Sequence, residues 1–334
     1  MESYQAIMLT GRGGLDMFKQ VELPLLQPAP HQVRLRVRAT AAGGTDLTMR
    51  RGRYMFAPRY PFVPGYEVIG EVDALGSAVT SLRQGQRVAA LTVHGAYAEQ
   101  LLVAADELVP VPDGVDDAAA VALILNYVTA YQALHRSARL QPGQTALVTG
   151  ASGGVGSALL ELLALQGVKA FGAASPRQQA FVSSFGATPI VLDRQGGEPL
   201  GEQLPEPVDA ALDALGGKYV GQCVRATRLG GTVVAYGFSS TLGDRMALTR
   251  GVLALGMAPL RGRRARFYGI TALYRRDKRP FLTDLALLFE WLREGKLRPR
   301  IHAKLPLLAA AEAGAMLERG GVQGKIVHLA AVSA

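Results

Sequence analysis

Cysteine is almost absent from this chain: Cys223 is the only one in 334 residues. A single thiol excludes an internal disulfide and a cysteine-rich structural zinc site, so stability has to come from packing. Histidine is also scarce, with five residues scattered without ligand spacing. No run approaches 18 consecutive apolar residues, and the opening MESYQAIMLTGRGG has neither a basic n-region nor an apolar h-region. Membrane insertion and a secretory leader are therefore not expected, and the expected location is cytoplasmic. Acids are in deficit, 27 against 36 basic residues, for a net charge of +9. The 29 arginines are dispersed and do not alternate with aromatics along a strand or loop. That pattern argues against a nucleic-acid partner and for a basic surface suited to anionic cofactors.

What is present is organised around Thr145 to Ser175, which reads as strand, glycine turn, helix and second strand. Ala151, Gly153 and Gly156 fit G-x-G-x-x-G with alanine in the first place, and the βαβ context that the motif requires is there. A β-carbon at Gly153 or Gly154 would push a pyrophosphate away from the backbone N–H groups, and the helix starting near Gly154 adds its positive end. An acid about 20 residues on would hold a ribose 2′-hydroxyl. None is there; Ser175 and Arg177 stand in its place and favour NADPH over NADH.

Before this stretch, residues 4–40 and 61–111 read as short strands punctuated by glycine and proline, with strict period-two alternation in Val33 to Thr40, and form a β-barrel-like domain. A helix follows from Asp116 to Leu140, capped by Asp116 or Asp117 and stopped by Pro142-Gly143. After the glycine turn come a helix at 176–186, strands at 188–192 and 208–213, a helix at 217–228 and a strand at 232–236. This is an α/β pattern, one doubly wound parallel Rossmann sheet. RARFYGITALY (264–274) reads as its last strand, a helix follows in PFLTDLALLFEWLREGKL, and short β segments end in GKIVHL.

Taken in order, VRATAAGGTDLTMRRGRY, PFVPGYEVIGEV, GAYAEQLLV, NYVTAYQAL, LQPGQTALVTGASGGVGSALLELL, LDALGG, GGTVVAYGF and GKIVHL resemble the zinc-independent medium-chain dehydrogenases/reductases of the quinone oxidoreductase type. NYVTAYQAL also resembles the branch related to vesicle amine transport protein 1. The resemblance implies a β-rich, GroES-like, partly open barrel built from both chain ends (1–125 and 275–334) and a Rossmann domain from the middle (126–274). Zinc-dependent relatives carry cysteine at the position of Gly43 and histidine at that of Tyr66. With both donors missing, no zinc site is expected.

Without a metal, the compatible reaction is hydride transfer to a quinone or an α,β-unsaturated carbonyl, where charge delocalises. The alternative is an NADPH-binding protein with little catalysis. The resemblance and the motif together implicate Thr129, Ser152, Gly153, Gly154, Val155, Ser175, Arg177, Tyr236, Gly237 and Phe238 in holding NADPH. Asp193 falls where relatives have a tyrosine against the adenine, and Arg194 offers compensation. Tyr54 and Tyr66 are the candidate catalytic groups, with His94 third. Tyr131 reads as helix packing. The expected partners are a small-molecule substrate and a second copy of the chain, paired through the 264–274 strand.

Overall fold

The structure, a computed structural model, describes residues 2–192, 197–241 and 244–331. Asp193 and Arg194 lie outside the described residues. The chain divides into two compact units, Met1–Val128 with Thr271–Ala334, and Thr129–Ile270.

The first unit is built on the strand Gln32–Ala42, where Val33, Leu35 and Val37 are buried and Arg36 and Arg38 exposed, the alternation of a half-buried strand. It pairs antiparallel with Glu67–Leu75 along one edge. On the other edge its first half meets Gln100–Ala104 and its second half Lys325–Leu329. The full sheet has seven strands, running from Ile301–Pro306 at one end to Val109–Pro110 at the other. These end strands do not pair with each other, so the barrel stays open. Val33, Leu35, Val68, Val72 and Val88 form its core.

The second unit carries six parallel strands in the order Thr188–Val191, Lys169–Ala174, Thr145–Thr149, Val208–Asp213, Thr227–Ala235, Arg264–Phe267. Numbered along the chain within this unit the order is 3-2-1-4-5-6, which reverses direction beside the strand that feeds the glycine turn. In an open α/β sheet, ligands bind at that reversal, outside the carboxyl ends of the strands. Leu147, Phe171, Ala211, Val233, Tyr219 and Cys223 pack between the sheet and the helix Lys218–Ala226.

Asp116, not Asp117, caps the long helix: its carboxylate accepts from the Ala119 N–H at 2.9 Å. The helical run Asp117–Ala138 is long and apolar enough to cross a membrane by length and composition, yet 83% of its apolar window is buried, as in the core helix of a folded domain.

Two sequence expectations are corrected, and one helix lies outside them. The helix expected at 176–186 is a 3-10 turn, Pro176–Gln178, and one short helix, Gln179–Ser183. RARFYGITALY is not one strand: Arg264–Phe267 is the edge strand, and Ile270–Arg276 is a helix. Buried Thr271 and Tyr274 are three residues apart, a helical spacing, whereas the strand reading rests on β-branched and aromatic content alone. The helix Arg245–Met257 escapes the sequence reading altogether, because only Gly251 is buried and no apolar stripe marks an inner face.

Candidate active site

In the Rossmann unit, the strand Thr145–Thr149 ends at Gly150, whose φ of 63° suits glycine, and the turn closes with Gly153 N–H donating to the Gly150 carbonyl at 3.0 Å. Gly153 is the N-cap of the helix Gly154–Leu165 and supplies no side-chain cap, which leaves first-turn N–H groups for a ligand. The glycines divide the work. A β-carbon on Gly156 would lie 2.2 Å from the Gly150 carbonyl oxygen, so that glycine serves helix-to-strand contact. At Gly153 it would sit 3.4 Å away, so the fold tolerates a side chain there better than the cradle would. Ser152 is buried, and Gly153, Gly154 and Val155 are half-buried.

Across the reversal point, Asp213 organises the neighbouring loop. Its carboxylate accepts from the Thr149 hydroxyl at 2.5 Å, the Gly216 N–H at 2.8 Å and the Leu215 N–H at 3.3 Å, while burial raises its pKa. Its carbonyl accepts from the N–H groups of Tyr236 and Gly237, at 2.9 and 3.3 Å. A β-carbon on Gly237 would meet the Ala214 carbonyl oxygen at 2.5 Å, so the Tyr236–Phe238 turn lies against the LDALGG loop. Sequence reading passes over Asp213, which sits in VDAALD as an ordinary strand residue. Tyr236 turns its hydroxyl inward: it is buried without a partner among the described residues, and burial, then Asp213 and Cys223, push its pKa far up. Phe238 packs on Phe267 at 5.6 Å.

The remaining nucleotide candidates divide likewise. Thr129 is buried with a hydroxyl that has no partner among the described residues, an orphaned polar group of the kind a ligand satisfies. Tyr131 packs on His135 with ring centroids 4.3 Å apart. Beyond the second strand, Ser175 contacts the Gln178 amide oxygen at 2.9 Å, Arg177 is exposed, and residues 173–179 contain no acid. The glycine cradle and the orphaned Thr129 hydroxyl fit a dinucleotide.

In the first unit, Tyr54 and Tyr66 come together, and with them Thr271, which sequence reading does not single out. Tyr54 Oη lies 2.8 Å from Thr271 Oγ1, and Tyr66 Oη contacts both. The two phenol rings meet edge to face at 5.8 Å, and Phe56 flanks Tyr54 at the same distance. Burial raises the pKa of both phenols, Tyr66 most strongly. His94 is exposed and packs edge-on to Phe62 at 6.3 Å.

Next to Tyr66 the polarity changes from hydroxyl to charge. Glu67 is fully buried, accepts the Leu125 N–H at 2.7 Å and forms an ion pair with buried Lys325. A β-carbon on Gly43 would stand 3.7 Å from the Lys325 ammonium. Asp46 accepts the Gly43 N–H at 2.8 Å, and burial pushes its pKa up to about 6. His328, whose ring centroid is 5.2 Å from that of Tyr97, is lowered by burial to about 4. Gly43 offers no donor, Tyr66 a phenol bonded to hydroxyls, and Glu67 a carboxylate held by an ammonium, so this donor set does not fit zinc. Among the described residues no three His, Cys, Asp or Glu side chains converge as metal ligands.

Comparison with known proteins finds the alcohol dehydrogenase GroES-like domain at residues 29–113 and the zinc-binding dehydrogenase family at residues 185–327. The synaptic vesicle membrane protein VAT-1 homolog of Rattus norvegicus is 35% identical over 243 residues, 71% of this chain and 60% of that protein. The chain thus spans about three fifths of the length of the first curated relatives it matches. The quinone oxidoreductase-like protein 2 homolog of Nematostella vectensis is 31% identical over 342 residues, 98% of this chain and 89% of that one. Among solved structures, the quinone oxidoreductase from Coxiella burnetii superposes with a TM-score of 0.86 at 26% identity, covering 99% of this chain and 100% of the other.

Proposed function

The chain belongs to the medium-chain dehydrogenase/reductase family of oxidoreductases, and from that premise we propose that it is an NADPH-dependent, metal-independent reductase of quinones or α,β-unsaturated carbonyl compounds. The observation that carries this reading is the Tyr54–Tyr66–Thr271 cluster, which offers hydroxyl hydrogen bonds and no Lewis acid to an acceptor oxygen. A conjugated acceptor spreads the incoming charge and needs only such donors, whereas a simple ketone gains more from a metal.

Bound NADPH would supply the hydride. Thr129, Ser152, Gly153, Gly154 and Val155 hold its phosphates in this reading, Ser175 and Arg177 select the 2′-phosphate, and the backbone of Tyr236–Gly237–Phe238 borders the nicotinamide. A cytoplasmic location goes with it. The deciding measurement is NADPH consumption, followed by its near-ultraviolet absorption, with a panel of quinones and enones, with and without exhaustive chelation. Turnover of one or more acceptors, unchanged by chelator, is expected. No consumption across the panel leaves the second reading, a nucleotide-binding protein with little catalysis.

Cofactor preference makes a sharper prediction. Arg177 is exposed, so its contact with a 2′-phosphate lies at the low end for a charge-assisted bond, about 1.5 kcal/mol. Arg177→Ala weakens NADPH binding about tenfold and leaves NADH unchanged, as read by fluorescence titration. Equal weakening of both sinks the assignment.

A second copy of the chain is the proposed partner of the edge strand Arg264–Phe267. Phe267 is 61% exposed, and Leu260, Met246, Val252 and Leu253 are exposed in the same unit. Unpaired edges with apolar neighbours associate unless something covers them. Proline at Ile270 does not probe this edge, because Ile270 opens a helix, where proline is tolerated. Phe267→Arg does probe it. Light scattering of the parent at micromolar concentration gives a dimer mass and the variant a monomer; a monomeric parent removes the idea.

A further inference from the structure

We propose that Thr271 is a positioning residue that directs the hydrogen bonds of the cluster so that Tyr54 presents its O–H to the acceptor oxygen. The inference rests on the reductase reading above and assigns the donor within it.

Each hydroxyl donates one hydrogen bond and accepts up to two. Three hydroxyls closed on one another spend all three protons inside the ring and have none to give. An acceptor oxygen opens the ring at one member, which then donates outward while it still accepts from a neighbour. Exposure decides which member that is: Tyr66 is 1% exposed and Thr271 2%, whereas Tyr54 is half-buried. Tyr54 is the outlet, and Thr271, 2.8 Å from its oxygen, is placed to donate into it.

The other two contacts are not equivalent. The Thr271 hydroxyl lowers the pKa of both phenols against the effect of burial, while the contact between the phenols lowers that of Tyr54 and raises that of Tyr66. Thr271 therefore stabilises charge on either phenol. Among the described residues its hydroxyl bonds to these two phenols alone. Its helix is anchored one turn later by Tyr274, edge to face with Phe281 at 5.1 Å, so the hydroxyl is not what holds the helix in place.

The proton step balances simply. The Tyr54 O–H bond breaks, an O–H bond forms on the oxyanion of the reduced acceptor, and solvent water returns a proton to the phenolate and closes the ring again.

Thr271→Val, Thr271→Ser and Tyr54→Phe test this in the full chain. With the best acceptor of the parent, Thr271→Val lowers kcat about tenfold with KM within about twofold, raises the solvent deuterium isotope effect, and Thr271→Ser restores kcat to within about twofold. A second readout needs no turnover: binding of 4-nitrophenolate, a coloured oxyanion, followed by its visible absorption with NADP+ present. Tyr54→Phe weakens it about tenfold, Thr271→Val about threefold or more, and Thr271→Ser leaves it as in the parent. Valine matching the parent, serine as defective as valine, or no probe binding by the parent overturns the proposal. A parent that reduces no acceptor defeats the reductase reading instead, and the probe series still decides the role of Thr271.

Discussion

Lys325→Met lowers the free energy of unfolding by about 3–5 kcal/mol at neutral pH, the cost of breaking a buried ion pair from one side. The Lys325 side chain is 3% exposed and that of Glu67 0%, so no solvent screens the carboxylate once its ammonium is gone. The Leu125 N–H still reaches Glu67 but cannot neutralise it. Glu67, already raised in pKa by burial, then folds with a bound proton. Glu67→Gln in the methionine background recovers most of the loss, because the amide keeps an acceptor for Leu125 and carries no charge. Urea unfolding of the parent and the single and double variants at about pH 7.5 measures this. A single variant within about 1 kcal/mol of the parent shows that the pair contributes little.

Asp46→Asn gains stability relative to the parent as pH rises, by about 2.4 kcal/mol between about pH 4 and about pH 7.5. Burial lifts the Asp46 pKa from 3.8 to about 6, so the folded protein holds this proton more tightly than the unfolded chain does. Its favourable contribution is complete below pH 3.8 and is lost as pH rises through about 6. Each tenfold difference in proton affinity between the folded and unfolded states corresponds to about 1.4 kcal/mol. Asparagine keeps an oxygen for the Gly43 N–H and has nothing to titrate. His328 has the opposite slope: with its pKa lowered from 6.5 to about 4, its contribution is present above pH 6.5 and lost as pH falls. The two partly offset each other in the parent, which is why the difference between parent and variant, not the parent curve alone, isolates Asp46. Parent and variant unfolding curves that keep a constant gap across this range contradict the assignment.

The parts of this molecule that repeat with a period are legible before any coordinates. The alternation through Val33, Leu35 and Val37 and the βαβ run around Gly153 each encode their own local structure, and handedness rules turn the second into a parallel sheet. Tyr54 and Tyr66, singled out separately, share a hydrogen bond. What stays hidden depends on partners distant in sequence or on content mistaken for period. Thr271 is lost inside RARFYGITALY because aromatic and β-branched residues suggest a strand without alternation to support it. Asp213 looks like any strand residue until the Thr149 hydroxyl and the Gly216 N–H are seen to converge on it. Nothing local in GKIVHL marks Lys325 as the counter-ion of Glu67.

The strand Lys325–Leu329 lies between Gln32–Ala42 and Ile301–Pro306 in the sheet, and the first of these is nearly the whole chain away in sequence. On a ribosome this separates two events in time. The six strands of Thr129–Ile270 are all available once that stretch has emerged, whereas the other sheet has to wait for nearly the whole chain. During that interval the edge of Gln32–Ala42 is unpaired along its second half and Glu67 has no ammonium to meet, so the nascent protein carries an open sheet edge and a carboxylate that only the last strand can neutralise.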